Sequence, residues 1–194
     1  MKPRILVILG HPDGTSFCGA LAEAYAKGAR EAGAEVDILR LGDLDFDPVL
    51  RKGYREVQLL EPDLLEAQER VTWAQHLVFV YPTWWGGPPA LLKGFFDRAF
   101  IPGFAFRSRA KGPFWDRLLV GRSGRLLVTA DSPASYDWLA NGLSAVRMVR
   151  KAVLAFCGVK PVAVRRFAIL KNANAECRQR WLTEAEALGG KDAR

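Results

Sequence analysis

The chain has 194 residues, 49% of them hydrophobic and 25% charged, which suits one globular domain with a full core and excludes extended disorder. A formal charge of +7 and a pI near 9.6 leave nucleic acid, an acidic membrane surface or a phosphorylated ligand as candidate partners. The basic residues are spread along the chain rather than gathered in a run, so no nucleic-acid partner is expected.

The chain opens on Ile5 to Leu9, an apolar run too short for a signal-peptide core or a membrane span, and a cytoplasmic location is expected. This run reads as the first strand. A helix over Phe17 to Ala32 follows, ended by Gly33, and then a more alternating strand over Glu35 to Leu41. Asp43 to Tyr54, with Pro48 and Gly53, reads as a surface loop. Pro62 to Gln75 is a predicted helix, His76 to Tyr81 a strand buried on both faces, and Pro89 to Phe100 the helix after it. Gly103 to Gly124 is a long excursion, of a length that is usually functional in a compact domain. Arg125 to Ala130 gives a fourth strand, Tyr136 to Phe156 a largely helical stretch, Val159 to Phe167 a fifth strand and Ala173 to Leu188 a last helix.

Repeated alternation of short apolar runs with amphipathic stretches predicts an α/β fold: a flavodoxin-like, doubly wound, five-stranded parallel sheet of order 2-1-3-4-5, with helices on both faces. The whole of 1–194 is then one domain. Ligands of such sheets bind beyond the carboxyl ends of the strands.

Three strand-to-helix loops meet there. The first, from Gly10 to Cys18, holds His11, Thr15 and Ser16 at a helix N-terminus, where free N–H groups and the helix dipole favour a phosphate. Thr15 or Ser16 can equally be a plain helix cap. The second loop, Pro82-Thr83-Trp84-Trp85-Gly86-Gly87-Pro88-Pro89, sets two indoles beside Gly and Pro, a composition suited to a flat ligand. Core or interface packing of the indoles is the alternative. The third, from Thr129 to Tyr136, offers hydroxyls and backbone N–H groups that can address a polar rim or simply cap a helix.

Neither a P-loop nor a GxGxxG fingerprint occurs, which argues against a nucleoside triphosphatase and a Rossmann dehydrogenase. HExxH, GxSxG and paired-carboxylate signatures are also missing. His76 heads an apolar strand and reads as structural. Cys18, Cys157 and Cys177 are scattered without a CxxC pair, so neither a disulfide framework nor a metal site is expected. Difficult chemistry would therefore fall to a cofactor. A mild basic concentration, Arg107, Arg109, Lys111, Arg117, Arg122 and Arg125, reads either as solvated surface or as attraction for an anionic cofactor such as NADPH.

His11 with Thr15-Ser16-Phe17, Pro82 with Trp85, Gly87, Pro89-Ala90 and Leu92-Lys93-Gly94, then Phe104-Ala105-Phe106, Lys111-Gly112-Pro113-Phe114 and Phe156-Cys157-Gly158 together resemble the flavodoxin-like NAD(P)H dehydrogenases (quinone). That family includes quinone reductases, modulators of drug activity and potassium-efflux ancillary oxidoreductases. The resemblance implies a flavin, FAD or FMN, reduced by NAD(P)H in a ping-pong, two-electron hydride transfer to a quinone or related acceptor. His11, Thr15, Ser16, Phe17 and Cys18 would surround the flavin's phosphate arm, Pro82, Thr83, Trp84, Trp85 and Gly86 would lie along its ring system, and Thr129, Ala130 and Asp131 would address the ring's polar edge. Tyr136, Trp84, Gly86 and Phe106 would form the substrate pocket, Phe106 reaching the neighbouring subunit of a homodimer. A regulatory flavoprotein on a membrane transporter and a one-electron flavodoxin-type carrier are the alternatives.

This chain departs from the family pattern at several positions. Ala130-Asp131 replaces a Gly-Gly pair, Trp84 a glutamine, Gly86 a bulky aromatic and Cys18 an asparagine. An active-site histidine of the mammalian members falls near Gly142, which leaves Tyr136 or water as the proton source.

Overall fold

The computed structural model describes residues 2–109 and 112–194. Lys111, part of both the basic concentration and a family motif, lies outside the described residues.

Five parallel strands form the central sheet: β1 (Arg4–Leu9), β2 (Glu35–Arg40), β3 (His76–Pro82), β6 (Ser123–Ala130) and β7 (Val162–Ala168). Their order is β2-β1-β3-β6-β7, which is the expected 2-1-3-4-5 arrangement of a flavodoxin-like sheet. Strand β3 is buried along its whole length, as a central strand covered by helices on both faces must be. One face packs under α1 (Phe17–Glu31) and α6 (Ala175–Asp192), with Ile5, Val7, Val78, Val80 and Phe167 pointing toward them. The other face packs under α2 (Pro62–Trp73) and α3 (Ala90–Ala99), through Leu6, Ile8, Leu77, Phe79 and Leu126.

The long excursion after α3 carries a short antiparallel pair, β4 (Phe106–Ser108) with β5 (Trp115–Arg117). Three-residue strands lack a periodic signal long enough to read in advance. The predicted helix from Tyr136 to Phe156 is broken. Helix α4 (Ala134–Asn141) ends where Gly142 enters the left-handed region at φ +56°. The Leu143 amide then donates to the Asp137 carbonyl and the Gly142 amide to Trp138, which satisfies carbonyls of the last turn as the helix stops. Helix α5 (Ser144–Arg147) restarts the coil, which continues as a π-helix over Met148–Ala155. Gly142 was the stop signal in the sequence.

The basic concentration read along 107–125 is dispersed by the fold. Arg125 is buried and paired with Asp192, Arg109 pairs with Asp116, and Arg122 donates to the carbonyls that end α2. These side chains do not form a common anion-attracting patch. No helix among the described residues is long and apolar enough to cross a membrane.

Candidate functional site

At the carboxyl ends of β1, β3 and β6 the first, second and third loops converge on a cavity of about 130 Å³. Its lining takes His11, Ser16, Phe17 and Cys18 from the first loop, Pro82, Thr83 and Trp84 from the second, and Thr129, Ala130 and Asp131 from the third. Ten of the thirteen residues named in advance for the cofactor thus share one surface.

The first loop is shaped by Asp13, whose carboxylate accepts from both the amide and the hydroxyl of Thr15, at 2.8 and 2.7 Å. Those two bonds hold the exposed Asp13 carboxyl below its ordinary range. The Thr15 hydroxyl is thereby spent on Asp13, and Thr15 is not part of the cavity wall. Ser16 does both things expected of it, accepting from the Gly19 amide as N-cap of α1 while lining the cavity. The Phe17 and Cys18 amides donate to no acceptor among the described residues, so the helix end presents free donors and its positive pole. Gly19 allows this tight entry, since a Cβ there would lie 2.0 Å from the Gly14 carbonyl oxygen.

Cys18 and Thr129 join the first and third loops, Sγ to Oγ1, at 3.3 Å. Burial pushes the Cys18 thiol up to about 11, so it is neutral at physiological pH. The second loop is tied to the third by the Thr83 amide donating to the Thr129 carbonyl at 2.7 Å.

Beyond Thr83 the second loop closes a tight turn. Trp84 and Gly87 exchange both backbone hydrogen bonds, at 2.8 and 2.9 Å, with φ of +50° at Trp85 and +75° at Gly86. Positive φ at both central positions is the type I′ pattern, for which Asn-Gly is the usual pair and a tryptophan is a costly occupant. The Trp85 indole is fully exposed at 106% and stands clear of the cavity. Trp84 turns inward, its ring 5.3 Å from that of His11 at 73°. Gly86 faces a separate void of about 10 Å³ beside Asn141 and Ser144, and its carbonyl accepts from the Ser144 hydroxyl.

Asp131 directs one carboxylate oxygen to the Lys171 amide at 2.8 Å, which partly satisfies the negative charge at the rim. Tyr136 lies on α4, 59% exposed and outside the cavity wall. Phe106 packs edge-on against Phe156, with centroids 5.1 Å apart, and likewise does not reach the cavity of its own chain. Leu170, from the turn after β7, completes the wall. It lies outside the three strand-to-helix loops and carries no local signal of a site. Arg178 of α6 sets its guanidinium 5.8 Å from the Phe17 ring centroid, putting a positive charge beside the first loop. Its place in a long polar helix carried no signal.

Residues 3–188 match the family described as a flavodoxin-like fold. The chain belongs to that family. It is 34% identical over 141 residues to NAD(P)H dehydrogenase [quinone] 1 of Cavia porcellus, covering 60% of this chain and 51% of that protein. With the Rattus norvegicus protein of the same name it shares 26% over 185 residues, 80% of this chain and 65% of the relative. The chain thus spans about half to two thirds of the length of these curated relatives. The solved NAD(P)H:quinone oxidoreductase of Methanothermobacter marburgensis superposes with a TM-score of 0.83 at 27% identity, covering 98% of each chain. The resemblance carried by the motifs therefore extends along the whole fold.

Proposed function

We propose that this protein is a flavin-dependent NAD(P)H oxidoreductase that passes two electrons to a quinone or related acceptor in a ping-pong cycle. The observation that carries the reading is the convergence of the three loops on one cavity with chemically distinct ends. Free amides at the start of α1, the hydroxyl of Ser16 and the cation of Arg178 suit a phosphate. Pro82 and the inward indole of Trp84 supply apolar surface for a ring system, and Thr129 with the Ala130 and Asp131 backbone supplies polar groups for its edge. These are the features that a flavin mononucleotide moiety requires. A bound flavin would supply reversible two-electron chemistry that no side chain of the site provides.

The protein's own part is positional. The Cys18–Thr129 contact and the Thr83–Thr129 bond fix the spacing of the three loops, and the neutral thiol adds no charge beside the ligand. Trp84 against His11 forms one wall of the space that a nicotinamide and then an acceptor would enter in turn. Tyr136, the nearest candidate for a proton donor by resemblance, stands off this wall in the single chain. Water therefore serves as proton source in this reading.

The active unit in this reading is a homodimer. Trp85 on the second loop and Tyr136, Trp138 and Leu139 on α4 are all exposed, an apolar surface that a second copy would cover. Phe106 would then belong to the partner's site. Purified protein that carries flavin, is bleached by NAD(P)H and is reoxidised by a quinone supports the function. Sedimentation as a dimer, lost on Trp138→Glu, supports the assembly.

A further inference from the structure

Between Trp138 and Ala175 the chain carries seven Lys and Arg residues and no acid, so this stretch alone accounts for the formal charge of +7. The fold neutralises only two of them: Arg165 pairs with Glu184 and Arg166 with Asp137. Arg147, Arg150 and Lys151 sit within about one turn of the α5 and π-helical segment, are exposed, and have no acidic partner within 4 Å among the described residues. Such a concentration of unpaired cations on one helix is held at an electrostatic cost and attracts anions.

The cations border a recess. Arg147 and Lys151, together with Asn141, Gly142 and Ser144, line an open hollow of about 490 Å³. Asn141 and Ser144 also line the small void beneath the Trp84–Gly87 turn, and that void shares Thr83 with the loop cavity. The surface therefore runs from the cavity, past Thr83 and Ser144, to Arg147 and Lys151. A π-helix widens the coil there, a distortion common at functional sites.

We propose that this recess binds the phosphorylated adenosine end of the nicotinamide donor, and that Arg147 and Lys151 engage a 2′-phosphate, so that NADPH is preferred to NADH. The inference rests on the oxidoreductase reading above and adds a site to it. A ligand with its nicotinamide at the loop cavity can extend its anionic chain past Thr83 and Ser144 to reach Arg147 and Lys151, two cations on one recess. A flat anionic membrane is a poorer match, because Lys160 precedes β7 and Lys171 follows it, placing the other free cations at opposite ends of the sheet.

The test uses purified full-length protein, and Arg147→Gln/Lys151→Gln, whose exposed positions leave the core untouched. Calorimetric titration compares adenosine 2′,5′-bisphosphate with 5′-AMP. The wild type should bind the bisphosphate about tenfold more tightly, as one added charge-assisted contact implies, and the double variant should lose that margin. In parallel, KM for NADPH should rise about tenfold in the variant while kcat and KM for NADH hold. Equal binding of the two nucleotides, or a margin and KM unchanged in the variant, overturns the site. So does retention on phosphatidylserine vesicles that the variant loses when neither nucleotide binds. A colourless protein without NAD(P)H oxidation would sink the oxidoreductase reading, and the bisphosphate titration would still decide whether the recess binds this anion.

Discussion

The Cys18 thiol and the Thr129 hydroxyl meet at 3.3 Å in the floor of the loop cavity, joining the start of α1 to the end of β6. Two buried groups that satisfy each other are exposed to the full cost of desolvation when one is removed. Thr129→Val should therefore destabilise the protein by about 1 kcal/mol in urea denaturation and lower flavin retention. Cys18 itself, held neutral by burial, should resist alkylation at pH 7 while the half-buried Cys177 reacts. Peptide mapping after brief iodoacetamide treatment checks this; rapid Cys18 labelling would show that the junction opens.

Trp85 occupies a left-handed position while its indole lies wholly in solvent, so the single chain gains little from it. Trp85→Asn should raise stability by about 1 kcal/mol, since asparagine suits the first central position of a type I′ turn. The same change should weaken dimerisation or acceptor turnover if the exposed ring serves either. Thermal unfolding together with quinone-reductase assay separates the two effects.

Gly86 reads differently from the sequence and from the structure. Where the family pattern has a bulky aromatic, the resemblance places Gly86 in a reshaped substrate pocket. In the fold it is a turn residue at φ +75°, where a Cβ would come within 3.4 Å of the Ser144 hydroxyl. Gly86→Phe should therefore cost about 1 kcal/mol from backbone strain and displace Ser144. Acceptor preference should still change more than flavin content, because Gly86 does not line the loop cavity. Equal loss of both would show that the turn holds the cofactor.

Asp137 and Arg166 form a buried ion pair beside the third loop, with Ser132 donating to the same carboxylate at 2.6 Å. Arg166→Ala leaves Asp137 buried without its cation and should destabilise by about 3 kcal/mol, measured by denaturant unfolding. Arg166→Ala/Asp137→Ala should recover part of that loss, as a double-mutant cycle would show.

At the opposite end of the sheet burial favours the neutral form of Asp192. Hydrogen bonds from Arg125 and Tyr25, with the Arg125 charge and the His76 ring nitrogen 3.4 Å away, outweigh it and hold the carboxyl well below its usual range. A depressed folded-state pKa means that this contribution is fully present above the unfolded carboxylate value of about 4 and is lost as pH falls below it. Stability should accordingly decline below about pH 4, and Asp192→Asn should lower neutral-pH stability while flattening that acid limb. Urea midpoints across an acid pH series give the comparison.

Strand order and the three converging loops were legible because a buried parallel strand, a Gly or Pro stop and a helix start each leave a local mark, as in His76 to Pro89. What escaped has equally physical causes. Leu170 reaches the cavity, and Arg178 the Phe17 ring beside it, through tertiary packing of the segment after β7, without a motif of their own. Thr15 lies one residue from a cavity-lining serine, yet its hydroxyl is committed to Asp13. Trp85 and Trp84 are adjacent and aromatic alike, and only the turn's positive φ angles send one indole outward and the other toward His11.

The visible absorption spectrum of the purified protein during one reductive and one oxidative half-cycle decides whether the three loops hold a working flavin. The expected result is a flavin spectrum that NAD(P)H bleaches without oxygen and that an added quinone restores. Colourless protein that takes up neither FMN nor FAD and oxidises no NAD(P)H would contradict it.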